Sequence, residues 1–296
     1  MAMINKLPGE EHSKSGTDSE HGAVLGIDVG WSSKKPTTGL CLIEWANQEI
    51  KVRCCQATAD EDNRRRKLDQ LTKGRKLLAV GIDGPLIPKL EIITQYRAAE
   101  AFLSRGKFQR RGKPGPTSGG SGPDLHKEAT KLAKLAINTQ NIASAMYPYR
   151  IHEKAVVEAF PNAFLAVLHP DKEFPTKPQQ KRRWTDTLFP LVKHELVQLL
   201  ETLLPQHNSN LDYIRGHEGI ASFVCALTAL CVVVGQCVAV GNRRLGYVVL
   251  PPLELWGASV VGSGKWARDA LRDNWTGVRR QFRDAELYKD NKLWAP

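Results

Sequence analysis

The chain contains no Cys-x-x-Cys pair, so it lacks the spacing that usually marks a structural zinc site. Its six cysteines, Cys41, Cys54, Cys55, Cys225, Cys231 and Cys237, are scattered, and the last three fall in one apolar stretch. That usage suits buried free thiols in a reducing compartment better than a disulfide scaffold. No apolar core follows the first residues, so a secretory signal is not expected and the chain reads as cytoplasmic. A second long apolar run is also missing. The single one, Ile220 to Val240, is interrupted by Ser222, Thr228, Gly235 and Gln236, which predicts a buried helix and no membrane partner. The Gly-rich stretch from Gly106 to Pro123 lacks the Gly-Lys-[Ser/Thr] of a P-loop, which excludes that mode of nucleotide binding.

What the chain does have is length for a sizeable core and an excess of basic groups. Its 296 residues can hold one large domain or two small ones. A net charge of +11 favours polyanionic partners, nucleic acid (DNA or RNA) first, against the plainer reading of a basic solvated surface. The polar residues 1–21 read as a disordered tail, 22–257 as one α/β domain with helical and basic-loop insertions, and 258–296 as a C-terminal helical extension. Within the domain, Ala23 to Val29, Thr38 to Trp45 and Glu49 to Ala57 predict a three-stranded antiparallel meander. Asp60 to Lys73 predicts an exposed amphipathic helix. Lys76 to Asp83 is apolar almost throughout, the pattern of a central strand buried on both faces. Helices are expected over 90–105, 124–147, 163–168 and 188–204, with short strands over 155–160 and 246–250. The Gly- and Pro-rich stretch 106–123 reads as a mobile loop.

Three of these strands carry a carboxylate in an apolar setting: Asp28, Asp83 and Glu158. Glu218 opens the long apolar helix. An unpaired buried charge costs several kcal/mol or takes up a proton, so each of these residues needs a reason. Asp28 and Asp83 are expected to end neighbouring parallel strands, and ligands gather at the carboxyl ends of such strands. Carboxylates converging there repel one another, and hard cations such as Mg²⁺ or Mn²⁺ relieve that repulsion. Two ions about 3.5–4 Å apart could activate water and stabilise a leaving oxygen in phosphodiester cleavage. The plainer readings are a turn-capping Asp28, ordinary Asp-Gly-Pro turn chemistry at Asp83, an ion pair between Glu158 and Arg97, and a first-turn acid at Glu218. Arg97 is a candidate for substrate phosphate, or else simply pairs with Glu100 three residues on. Lys181, Arg182 and Arg183, beside Trp184, are candidates for holding a nucleic-acid strand through charge and stacking. His217, next to Glu218, is a candidate for positioning water, against a surface histidine at a helix start.

In their order these motifs resemble the ribonuclease H-like superfamily, and in particular domain-of-unknown-function family 429, whose members are described as predicted nucleases. The resemblance runs over residues 22–256. It rests on Gly26-Ile-Asp28 with Trp31, Gly81-Ile-Asp83-Gly-Pro85, Tyr96-Arg97-Ala-Ala-Glu100 and Val157-Glu158-Ala-Phe160-Pro161. It continues through His217-Glu218 to Ala229 and Gly246-Tyr-Val-Val-Leu-Pro251. It implies a mixed sheet built on an antiparallel meander and a two-metal site of acidic side chains, here Asp28, Asp83, Glu158 and Glu218. It departs at Ala221, which stands where the family pattern implies an Asp. Glu218 lies one turn back on the same helix face. Two other readings compete with the nuclease. A sugar-kinase or actin-like protein shares a strand-turn-strand with Asp28 and Gly30, but no second phosphate hairpin is visible. A non-catalytic nucleic-acid-binding protein would account for Ala221 and the basic tail.

Overall fold

Three glycines set how closely the sheet is covered. Gly26 and Gly81 are register partners on neighbouring parallel strands, and Gly39 sits opposite Asp28 on the strand at the other side. A Cβ at Gly26 would stand 1.9 Å from the Ser222 carbonyl oxygen. One at Gly81 would stand 2.1 Å from that of Cys225, and one at Gly39 2.2 Å from that of Glu218. No side chain fits at any of the three, so the backbone of the helix that carries Glu218, Ser222 and Cys225 rests directly on the sheet. The computed structural model describes residues 21–87, 96–171, 174–175, 183–205, 211–257 and 266–296.

The elements are β1 (His21–Asp28), β2 (Thr38–Ala46), β3 (Glu49–Ala57), α1 (Glu61–Thr72), β4 (Ala79–Asp83), α2 (Ala98–Leu103), α3 (Gly122–Thr139), β5 (Val156–Ala159) and α4 (Pro161–Leu168). They continue with α5 (Trp184–Leu188), α6 (Lys193–Leu203), α7 (His217–Val234), β6 (Val238–Asn242), β7 (Gly246–Leu250), α8 (Trp266–Gln281), β8 (Glu286–Lys289) and β9 (Lys292–Leu293). The fold is α/β: helices flank one nine-stranded mixed sheet of order β3-β2-β1-β4-β5-β7-β6-β8-β9. β1, β4, β5 and β7 run parallel and the other pairings are antiparallel. The expected meander is β1-β2-β3. Its tight turn is Asn47-Gln48, both with positive φ, the backbone that lets two residues join twisted strands.

α7 lies along β1, β2 and β4, and α4, α5 and α6 pack against it. It is long and apolar enough to cross a membrane, yet it is buried along the sheet and serves as the core helix. Arg64 of α1 reaches Thr38 Oγ1 on the opposite face and pairs with Glu128 of α3 at 2.9 Å, which places α1 and α3 together on that side. α1 is closed at its start by the Asp60 side chain accepting from the Asn63 N–H at 2.8 Å, and at its end by Lys73 in a left-handed conformation.

Several boundaries differ from expectation. The apolar run to Val240 is two elements: α7 stops at Gly235, which takes a left-handed conformation and caps the helix, and β6 follows. The helix expected over 124–147 ends at Thr139. The one expected over 188–204 is α5, a 3-10 turn at Phe189–Val192 and α6. Residues 106–123 are pinned rather than loose: Gly106–Arg110 form a 3-10 turn, and buried Thr117 bonds Glu100 through both its N–H and its hydroxyl. Among the described residues of the C-terminal extension, the helix is α8. Beyond it, β8 joins the main sheet beside β6, and the hairpin to β9 turns through Asp290 and Asn291, again at positive φ. Residues 1–20 of the expected tail lie outside the described residues.

Candidate functional site

Asp28 and Asp83 end β1 and β4 just past the register pair Ile27–Ile82, side by side at the carboxyl edge of the sheet. Side chains alternate along a strand, so Asp28 shares its face with Gly26, and Asp83 shares its face with Gly81. This is the face under α7. The expected adjacency of the two carboxylates is therefore met. Asp28 is 6% exposed.

The electrostatics of the pair follow from crowding in a dry place. Burial, then the charge of Asp83, push the Asp28 carboxyl well above its ordinary range. Arg183 pulls it back, while Glu218 and Asp186 push it further up. The Asp83 carboxyl is pushed up to about 7, by burial first and then by Glu158; Arg183 and a hydrogen bond with Asp28 oppose the rise. Both shifts run toward the neutral carboxyl, because two adjacent carboxylates in low dielectric resist ionising together.

Around the pair stand groups from two helix starts. Arg183 immediately precedes α5, and its charge acts on both aspartates. Asp186, in the first turn of α5, accepts from or shares a proton with His217 Nδ1 at 3.1 Å. Burial lowers the His217 pKa, so near neutrality Nδ1–H donates to Asp186 and Nε2 keeps its lone pair. Glu218 sits above Gly39, half-buried, with its Oε2 3.4 Å from the Gln56 Nε2 that donates to it. The turn after Asp28 is fixed from the other side by buried Arg64, which donates to the Gly30 carbonyl. Asp186 was not among the sequence candidates. It lies in a basic stretch, and its only sequence signal is that of an ordinary first-turn acid.

Glu158 does not join this cluster. It is the register partner of Ile82, so it projects to the opposite face from Asp83. There Arg97 grips both of its oxygens, with Nη1 at 2.9 Å from Oε2, and the Leu86 N–H donates to Oε2 at 3.3 Å. Arg97 is 1% exposed and spends its other donors on Glu100 and the Leu245 carbonyl. It therefore has no free edge for a substrate phosphate. The ion pair, one of the two alternatives for Glu158, is what forms. Beside it lies a cavity of about 250 Å³, roofed by Pro114–Gly122 and reached by Asp83, Arg97, Glu100, Glu158 and Phe160. Of the three basic candidates, Arg183 is exposed beside the pair; Lys181 and Arg182 lie outside the described residues.

Among the described residues, no three His, Cys, Asp or Glu side chains stand close enough together to form a ready-made metal cage. Asp28 and Asp83 are the pair that could hold a hard divalent ion. Mg²⁺ keeps several waters and often takes only one or two protein carboxylates, and metal binding requires those carboxylates to be deprotonated. Compared with models of protein families, with curated proteins and with solved structures, the chain matches none.

Proposed function

We propose that the chain is a Mg²⁺- or Mn²⁺-dependent nuclease of ribonuclease H-like architecture, with Asp28 and Asp83 at its centre. The observation that carries this reading is the pair of adjacent carboxyls, Asp28 and Asp83, at the ends of two neighbouring parallel strands under α7, both pushed toward the neutral form by burial and by neighbouring carboxylates. The sheet order β3-β2-β1-β4-β5, an antiparallel meander followed by parallel strands, supports the architectural part. The net charge of +11 supports a polyanionic substrate.

In this reading Asp28 and Asp83, in their ionised form, would hold the ion, with Glu218 as the third carboxylate from above. Bound there, the ion would lower the pKa of a water and stabilise the leaving oxygen. Arg183 supplies positive charge at the rim, where a phosphate would lie. His217, held at Nδ1 by Asp186, presents Nε2 to orient and deprotonate a water. Trp31, three residues beyond Asp28 and 55% exposed, offers a flat surface for a base. Glu158 takes no direct part, and it acts on Asp83 only through its charge.

The test is Mn²⁺ binding, read by electron paramagnetic resonance, together with cleavage of labelled single- and double-stranded DNA and RNA. Asp28→Asn and Asp83→Asn are each expected to lose both while remaining folded. Full cleavage by purified Asp28→Asn would remove the site from consideration. The engagement of Glu158 by Arg97 favours a second reading, a nucleic-acid-binding protein without catalysis. Its signature is binding of the same substrates with no metal-dependent cleavage.

A further inference from the structure

β2 and β3 place Cys41 and Cys54 directly opposite each other. Residues so placed project to the same face with Cβ atoms about 4.5–5.5 Å apart. A disulfide spans Cα atoms about 4.4–6.8 Å apart, so this pair can be bridged with little backbone movement. The sulfurs are already in contact, the Cys54 thiol donating to Cys41 Sγ at 2.9 Å. Both are free thiols, Cys41 buried and Cys54 exposed. Cys55 is the register partner of Leu40 and projects to the other face, so it is not aimed at Cys41.

We propose that Cys41 and Cys54 form a peroxide-responsive dithiol pair that closes into a reversible intrachain disulfide across β2 and β3. Exposure makes Cys54 the attacking group. Its sulfur attacks the distal oxygen of a hydroperoxide; an S–O bond forms, the O–O bond breaks, and the proximal oxygen leaves, taking up the Cys54 proton. Cys54 becomes a sulfenic acid and the peroxide is reduced to water or an alcohol. Cys41 Sγ then attacks the Cys54 sulfur, the S–O bond breaks, and hydroxide leaves as water with the Cys41 proton. In sum, two thiols and one hydroperoxide give one disulfide, one alcohol or water, and one water. A small thiol reverses the bridge by exchange. Burial raises the Cys41 thiol well above its ordinary range, so it is a poor first nucleophile, and its held contact with Cys54 compensates in the second step. The bridge ties the edge strand β3 to its neighbour two residues before Gln56, the residue that bonds Glu218. None of this depends on how the carboxyl pair is read.

The reduced full chain is treated with hydrogen peroxide, free thiols are blocked with N-ethylmaleimide, and intact mass is combined with non-reducing peptide mapping. Before blocking, the expected product is lighter than the reduced chain by two hydrogens and returns to the starting mass with dithiothreitol; after blocking, mapping is expected to show a Cys41–Cys54 linked peptide. Cys54→Ser is expected to abolish the linkage and Cys55→Ser to keep it. Cys41→Ser should leave a Cys54 sulfenic acid that dimedone captures. A Cys54–Cys55 link, a link between two chains, or oxidation of Cys54 beyond sulfenic acid with no link in the unsubstituted protein would each overturn the proposal. So would a Cys54 that peroxide leaves fully alkylatable.

Discussion

On the face covered by α7, Asp28 and Asp83 stand together with no cation in bonding contact among the described residues, and both are pushed toward the neutral carboxyl. On the other face, Glu158 is buried but meets a guanidinium at both oxygens, and Glu100 and Thr117 complete the network. The residue types and the strand ends are the same. What differs is a single step of register: Glu158 aligns with Ile82, not with Asp83. A buried carboxylate with a full set of donors is a structural group, whereas a buried pair lacking them is a group held ready for something else. The comparison gives Glu158 and Arg97 a closed structural network and leaves Asp28 and Asp83 as the pair on which the proposed function rests.

The largest expected effect comes from removing the cation of the closed network. Arg97→Ala leaves Glu100 and Glu158 buried without their partner, which costs about 3–5 kcal/mol. Urea unfolding measures it. A loss below about 1 kcal/mol, the value of a surface pair, would dissolve the contrast between the two faces.

Next is the open pair. Asp28→Asn is expected to leave stability unchanged or higher, because a neutral amide replaces a carboxyl that burial and Asp83 already push toward its neutral form, while metal-dependent cleavage falls by about 10²–10³-fold or more. Stability and activity move together at Arg97 and apart at Asp28, and that split is what the comparison predicts.

Much of this was legible beforehand, and the misses have physical causes. Asp28 and Asp83 could be paired from sequence because each ends an apolar run after Gly-Ile, and parallel neighbours share an edge. The face of Glu158 could not be read, because β5 is four residues long and buried on both sides, so no alternation shows which way a residue points. β6 was hidden because a buried strand and a buried helix both read as continuous apolar sequence, separated here only by Gly235. Asp186 reaches the site through tertiary packing of α5 on α7, which leaves no local pattern.

A third expectation concerns pH. The folded Asp83 carboxyl titrates at about 7 against 3.8 for its ordinary value, so between these pH values the native state binds more protons than the unfolded chain. Stability in chelator therefore falls as pH rises through that window, and the raised Asp28 carboxyl acts in the same direction. Asp83→Asn should flatten this part of the profile. Thermal melts at closely spaced pH values check it, and a shift of a few degrees is the expected size. Glu158→Gln should flatten the profile in part, since the Glu158 charge helps push the Asp83 carboxyl up.

The smallest effect belongs to Glu218. It is half-buried, its carboxylate is turned to Gln56 through one long hydrogen bond, and it acts on Asp28 through its charge. If it serves as the third carboxylate, Glu218→Gln weakens Mn²⁺ binding by about 10–100-fold, the loss typical of a supporting ligand, and leaves folding stability unaltered. Glu158→Gln, made in parallel, should leave Mn²⁺ affinity nearly unchanged and lower stability instead. The reverse pattern, with affinity lost at Glu158 and kept at Glu218, would mean that Arg97 releases Glu158 when metal binds. The face of the sheet would then not decide which carboxylates do chemistry.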